Sequence, residues 1–241
     1  MGSAEATNDV KLTIVEHLEE LRDRIIVVAI ALVVSMLFSL IFADKILTAL
    51  IRLHGAQARV VSIHPVEPLL VWMKIALICG VALSMPVTIY EVVRYLLPAL
   101  TPQERRYLYI LVPGGSISFL VGIAFAILVV LPVGLGFLHT ITWGDTVTPM
   151  WTIENYVDLA TTMMFWLGII FELPLVMFFL AKLGVVTSKA LVRFFRYWIV
   201  AAAILAAIIT PTPDPINMMI VMGPLILLYL TGIVMVKLAG R

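Results

Sequence analysis

The chain has 241 residues, 62% of them hydrophobic and 13% charged, with a formal net charge of +1. That balance excludes an ordinary soluble domain, and several apolar runs approach or exceed the ~20 residues a helix needs to cross a bilayer. The near-neutral total says nothing about partners, and the single cysteine, Cys79, leaves neither a disulfide framework nor a thiolate metal site.

Taken in order, residues 1–12 are small and polar and are expected to be flexible. The first twenty residues hold no apolar core, so a cleavable signal is not expected. Thr13-Ile-Val-Glu16 has the form of a capping box, from which a helix runs into a first span over about 25–43. A polar loop over 44–67, with room for a short helix, leads to a second span over about 69–90, which carries Lys74 and Pro86. The stretch from Tyr90 to Arg106 is the longest polar interruption between apolar runs. Pro98 should end the helix before it, and Thr101-Pro-Gln-Glu104 forms a second capping box that starts the next.

The third span, about 108–138, is long, with Pro113-Gly114-Gly115 and Pro132 as points of bending or shortening. The fourth, about 157–183, contains Glu172 followed at once by Leu173-Pro174. The fifth and sixth, about 192–209 and 216–236, are joined by the tight Thr210-Pro-Thr-Pro-Asp-Pro215 turn. These last two are marginal in length. Either they form a short hairpin that thins the local bilayer, or they show the ordinary length variation of a bundle. The whole is predicted to be one all-α domain over 1–241 with six transmembrane helices.

Basic residues set the orientation. Of the sixteen Lys and Arg, twelve fall on the side that holds both termini, the 91–107 loop and the 182–196 connector. Lys45, Arg52 and Arg59 lie on the other side and Lys74 within a span, so both termini are predicted to be cytoplasmic.

At the edge of the first span stands His17-Leu-Glu-Glu20-Leu-Arg22-Asp-Arg24. On a helix Glu16 stacks on Glu20 and Glu19 on Asp23, and like charges at that spacing repel; Arg24 relieves Glu20. The result is an acidic patch on the basic side. It suits a cationic ligand, or it is a solvated helix end shaped by capping alone. Glu104 is open to the same two readings. If the first and third spans pack together, Glu20 and Glu104 can receive two guanidinium groups, a bidentate recognition that lysine does not reproduce.

Glu172 lies near the bilayer centre, where an ionised carboxylate costs at least about 2.5–3.5 kcal/mol. It is therefore protonated, hydrated or paired, and a functional polar site competes with a neutral acid bonded inside the bundle. No Gly-x-Ser-x-Gly elbow, His-Glu-x-x-His or phosphate loop occurs, and the four histidines lack metal-ligand spacing. No enzyme activity, cofactor, metal or nucleic-acid partner is expected.

Five pieces in order make the chain resemble the TatC family, the multi-spanning receptor subunit of the twin-arginine protein translocase. They are His17-Leu-x-Glu20-Leu-Arg22-x-Arg24; Pro65-x-Glu67 with Lys74; Tyr95-x-x-Pro98-Ala-Leu-x-x-x-Glu104-Arg105; Phe171-Glu172-x-Pro174; and Thr210-Pro-x-x-Asp214. The resemblance covers about residues 12–236. It implies a cup-like bundle in the inner membrane of a prokaryote that docks folded cargo by its Arg-Arg signal peptide. Glu20 and Glu104, with Arg22, Tyr95, Pro98 and Arg105, would form the signal-peptide site. Glu172 would contact single-span TatA- or TatB-type partners in an oligomeric complex driven by the proton-motive force. Pro65, Pro68 and Asp214 would brace the exported side. Leu69 and Met218 depart from residues common in the family, which bears on the last hairpin. Asp214 also reads as the N-cap of the sixth span, with Pro215 in its first position. Two rival readings are a secondary transporter using Glu172 and Lys74 as ion sites, and a scaffold whose cytoplasmic carboxylates are inert.

Overall fold

The computed structural model describes residues 14–54, 60–96, 108–140, 151–210 and 215–238. Among them, six helical segments are long and apolar enough to cross a bilayer. The first is α1 (Ile14–Leu40), followed by a short amphipathic helix α2 (Ala43–His54), which turns Ala43 and Leu50 into the core. The second is α3 (Glu67–Leu96). The third runs through α4 (Leu108–Phe125), a π-helical stretch over Ala126–Val130, and α5 (Leu131–Thr140). The fourth is α6 (Ile153–Phe171) continued by α7 (Leu173–Lys182); the fifth and sixth are α8 (Ser188–Ile209) and α9 (Pro215–Leu238).

The proline signals act in two different ways. Pro113 and Pro86 are absorbed inside α4 and α3. Pro132 has no N–H for the carbonyl one turn back, and the hydrogen-bond register widens to π immediately before it. Glu172 interrupts the fourth span: its N–H bonds Ile169 O at 3.0 Å, and Pro174 sits in the first turn of the helix that follows.

The last two spans are longer than the sequence suggests. Thr187 caps α8 by accepting the Ala190 N–H, so that helix starts at Ser188 and has 22 residues; α9 has 24. At 1.5 Å per residue these are about 33 and 36 Å, enough for a hydrocarbon layer of about 30 Å. By helix length alone this pair is compatible with the ordinary length variation of a bundle, although Lys189, Arg193 and Arg196 fall in the first turns of α8. The α9 start at Pro215 agrees with Pro215 in the first helical position, while Asp214 lies outside the described residues.

Neighbouring spans pair antiparallel. Helix α1 lies along α3, its Met36 backbone so close to Gly80 that a Cβ there would stand 2.8 Å from the Met36 Cα. Helix α4 lies against α6, and Ser118 donates to Phe171 O at 2.6 Å. Helix α3 also touches both α4 and α6. In the last hairpin Trp198 stacks on Tyr229 at 4.9 Å, and the Tyr229 hydroxyl donates to Leu191 O. The main core joins α2, α3, the π stretch, α5, α6, α8 and α9 around Ile75, Leu135, Tyr156, Leu167 and Leu225. Helix α1 lies at the margin: only 6% of its span is buried, and Ile25, Ile30, Val34 and Leu37 are exposed. In water that surface would be a liability; against acyl chains it is the required one.

Candidate functional site: an acidic cleft between α1 and α3

The two ends of the bundle differ chemically. Where α2 and the start of α6 lie, the chain is cross-braced. Val60 and Val61 pair in parallel with Trp151 and Thr152, and the Tyr156 hydroxyl donates to Leu50 O across the core. Lys74 donates to Glu154 at 3.1 Å and is paired with Asp158 at 2.6 Å. Pro65 sits in an exposed turn and Pro68 in the first turn of α3. Between them Glu67, 3% exposed, accepts the Ile63 N–H at 3.0 Å and ties the turn to the helix start. Replacing Glu67 by alanine is expected to lower stability, because the Ile63 N–H loses its carboxylate partner. Glutamine should retain most of it. Thermal unfolding of the two variants in detergent checks the difference.

At the opposite end α1 begins and α3 finishes. The antiparallel pairing brings the first three turns of α1 against the last turns of α3, where His17 stacks on Tyr95 at 4.4 Å. Beside them is a cleft of about 410 Å³ lined by Glu16, Glu19, Glu20, Asp23, Arg24, Val27, Glu91 and Arg94. Five carboxylates face two guanidinium groups. Arg24 joins the two helices: its Nη2 donates to Glu20 at 2.8 Å and its Nη1 to Glu91 at 2.7 Å. Arg94 stands farther from Glu91, at 4.0 Å. The cleft is half-dry, with side-chain exposures of 24% for Glu20, 18% for Arg24 and 8% for Glu91. Charge-assisted hydrogen bonds in such a setting are screened less than those on an open surface.

The predicted site residues divide. Glu20 lines this cleft, while Tyr95 stacks on His17 and does not line it. Arg22 does not line it: it is 67% exposed and paired with its neighbour Asp23. Pro98, Glu104 and Arg105 lie outside the described residues. The principal neighbour of α1 is α3, the second span, and not the third as the paired-carboxylate argument supposed. Glu91 was missed by sequence reasoning. Its signal was an acidic residue at the end of the second span, one turn before Tyr95.

Glu172 lies deeper. Its carboxylate occupies the space left by Gly115 of α4, where a Cβ would stand 2.9 Å from Glu172 Oε2. Glu172 Oε1 is buried with no hydrogen-bond partner among the described residues. Lys74 and Glu172 share no site. Glu154 and Asp158, which hold Lys74, precede Glu172 by 18 and 14 positions on the same span, or about 21–27 Å of helix. Among the described residues no cluster of His, Cys, Asp and Glu is arranged to hold a metal.

Comparison with known proteins shows the family. A family model described as Sec-independent protein translocase protein (TatC) matches residues 16–224. The chloroplastic TATC of Pisum sativum is 35% identical over 237 residues, covering 97% of this chain and 66% of that protein. The chain therefore spans about two thirds of the length of that plant relative. The TatC of Carboxydothermus hydrogenoformans is 34% identical over 230 residues, covering 95% of this chain and 94% of that one. A crystal structure of the twin-arginine translocase receptor TatC superposes with a TM-score of 0.81 at 35% identity, covering 94% of this chain and 100% of that chain. The chain belongs to the TatC family of Sec-independent protein translocase proteins.

Proposed function

We propose that this protein is the receptor subunit of a twin-arginine translocase in the inner membrane of a prokaryote. It binds the Arg-Arg signal peptides of folded cargo on the face where α1 begins and α3 ends. The observation that carries the reading is the acidic, half-buried cleft around Glu20 and Glu91, at the end of the bundle otherwise rich in Arg and Lys. A cleft of that charge attracts a dication, and its carboxylates favour the planar fork of guanidinium over ammonium. By the asymmetry of basic residues that face is cytoplasmic, as are both termini. Glu104 joins Glu20 in receiving the arginine pair, with Tyr95, Pro98 and Arg105 beside them.

Photo-crosslinking from positions 20 and 104 to a signal peptide tests the reading. Crosslinks that vanish when Arg-Arg becomes Lys-Lys support it, and equal crosslinking to both peptides rejects it.

Glu172 serves a different partner in the same complex, a single-span TatA- or TatB-type helix, and transport is driven by the proton-motive force. The support is its buried, unpartnered Oε1, a polar atom that an incoming helix can satisfy. Glu172→Gln is expected to keep association with a single-span partner, whereas Glu172→Leu reduces it severalfold. Site-specific crosslinking reads the difference, and equal yields for the two variants would count against a polar contact.

A further inference from the structure

Arg24 does more than neutralise its neighbour one turn away. A single guanidinium bridges two carboxylates that are 67 positions apart in the chain and belong to different helices. One edge of the fork faces Glu20 of α1 and the other faces Glu91 of α3, at 2.8 and 2.7 Å. That is the arrangement an arginine arriving from outside would need, already filled from within.

The charge around it is not balanced by this occupant. Among the described residues Glu16, Glu19 and Asp23 also line the cleft, Asp23 paired with Arg22 at 2.9 Å, and Arg94 is the other cation of the lining. With Arg24 in place and Arg22 counted, these groups still carry a net charge of about −2 when the carboxylates are ionised. The cleft therefore attracts more positive charge than it holds, while its best-shaped position is taken. Glu91, the least exposed of these carboxylates, gains most from a guanidinium because water serves it least.

Resting on the receptor reading above, we infer that Glu91 is a specificity-determining residue of the signal-peptide site. With Glu20 it forms a two-helix carboxylate clamp, and Arg24 occupies that clamp until an arginine of the signal peptide displaces it. No covalent step is involved; one guanidinium exchanges for another between the same two carboxylates. The cost of displacing Arg24 falls on a ligand that enters the clamp. Only a guanidinium restores both bonds, so an arginine enters at that cost while a lysine gains little from entering.

The test uses the full chain in lipid nanodiscs and two synthetic signal peptides, one with Arg-Arg and one with Lys-Lys, at fixed salt. In Arg24→Gln the clamp is vacant, and binding of the Arg-Arg peptide should tighten about tenfold, with the Lys-Lys peptide gaining less than about threefold. Adding Glu91→Gln to Arg24→Gln should remove most of that gain. Arg24→Lys keeps the charge between the helices but not the fork. It should retain the parent's melting temperature and give a smaller gain of the same sign, which keeps the test decisive if the glutamine variant unfolds. Weaker Arg-Arg binding in a folded Arg24→Lys protein would overturn the inference, as would Glu91→Gln having no effect in the Arg24→Gln background. Equal affinity of the parent for both peptides would instead reject the receptor reading itself.

Discussion

Replacing Glu20 by alanine is expected to weaken binding of an Arg-Arg signal peptide by about ten- to a hundredfold. The estimate follows from losing a charge-assisted hydrogen bond of about 1.5–3 kcal/mol, at tenfold per 1.4 kcal/mol. The fold should survive, because Arg24 keeps its bond to Glu91 at 2.7 Å and α1 stays seated on α3 through the Met36–Gly80 contact. Glu20→Asp shortens the reach by one methylene and should give an intermediate loss. Glu104→Ala should act in the same direction. If the two carboxylates share one arginine pair, the double mutant loses less than the two single losses combined. Titration of a fluorescent peptide against each variant in nanodiscs measures all four. Parent-like affinity in both alanine variants would reject recognition by paired carboxylates.

The second large effect concerns the fold. Gly122→Val is expected to destabilise the bundle by about 3 kcal/mol, since a Cβ there would stand 2.7 Å from Leu167 O and 2.8 Å from the Gly168 Cα. Those are backbone atoms and cannot swing aside, so α4 and α6 must separate. The separation would also open the bond from Ser118 to Phe171 O, next to Glu172. Gly168→Ala should cost less: its Cβ meets the Phe119 ring, the movable end of a side chain. Gly223 of α9 has nothing within 4 Å of the added carbon, so Gly223→Ala should be neutral or stabilise by up to about 1 kcal/mol. Melting temperatures in detergent should fall in the order Gly223→Ala, Gly168→Ala, Gly122→Val. A Gly122→Val protein as stable as the parent would show that these helices do not pack backbone to backbone.

Much of this protein is written locally. Six apolar runs, the interruption at Glu172-Leu-Pro174 and the Glu20–Arg24 pair one turn apart depend on residues within a few positions of one another. Transfer energy, proline chemistry and helical spacing suffice to read them. The acidic patch on a basic end was legible for the same reason.

Which helix lies on which was not legible. In a bilayer every span is apolar on all sides, so hydrophobicity cannot rank its neighbours. The choice falls to close approach at small residues and to a few polar bonds between distant positions. Hence α1 lies on α3 through Gly80, a choice of neighbour the sequence had left open. Hence also Lys74, which reads as a lone intramembrane cation, is held by Glu154 and Asp158, eighty or more positions away. Glu91 became part of the site only when α3 ran antiparallel to α1 and stopped level with Arg24. The sequence by itself determined the spans, their breaks and the charges at each end. Tertiary packing alone decided which carboxylates share a guanidinium, because that depends on contacts between helices that the chain order does not encode.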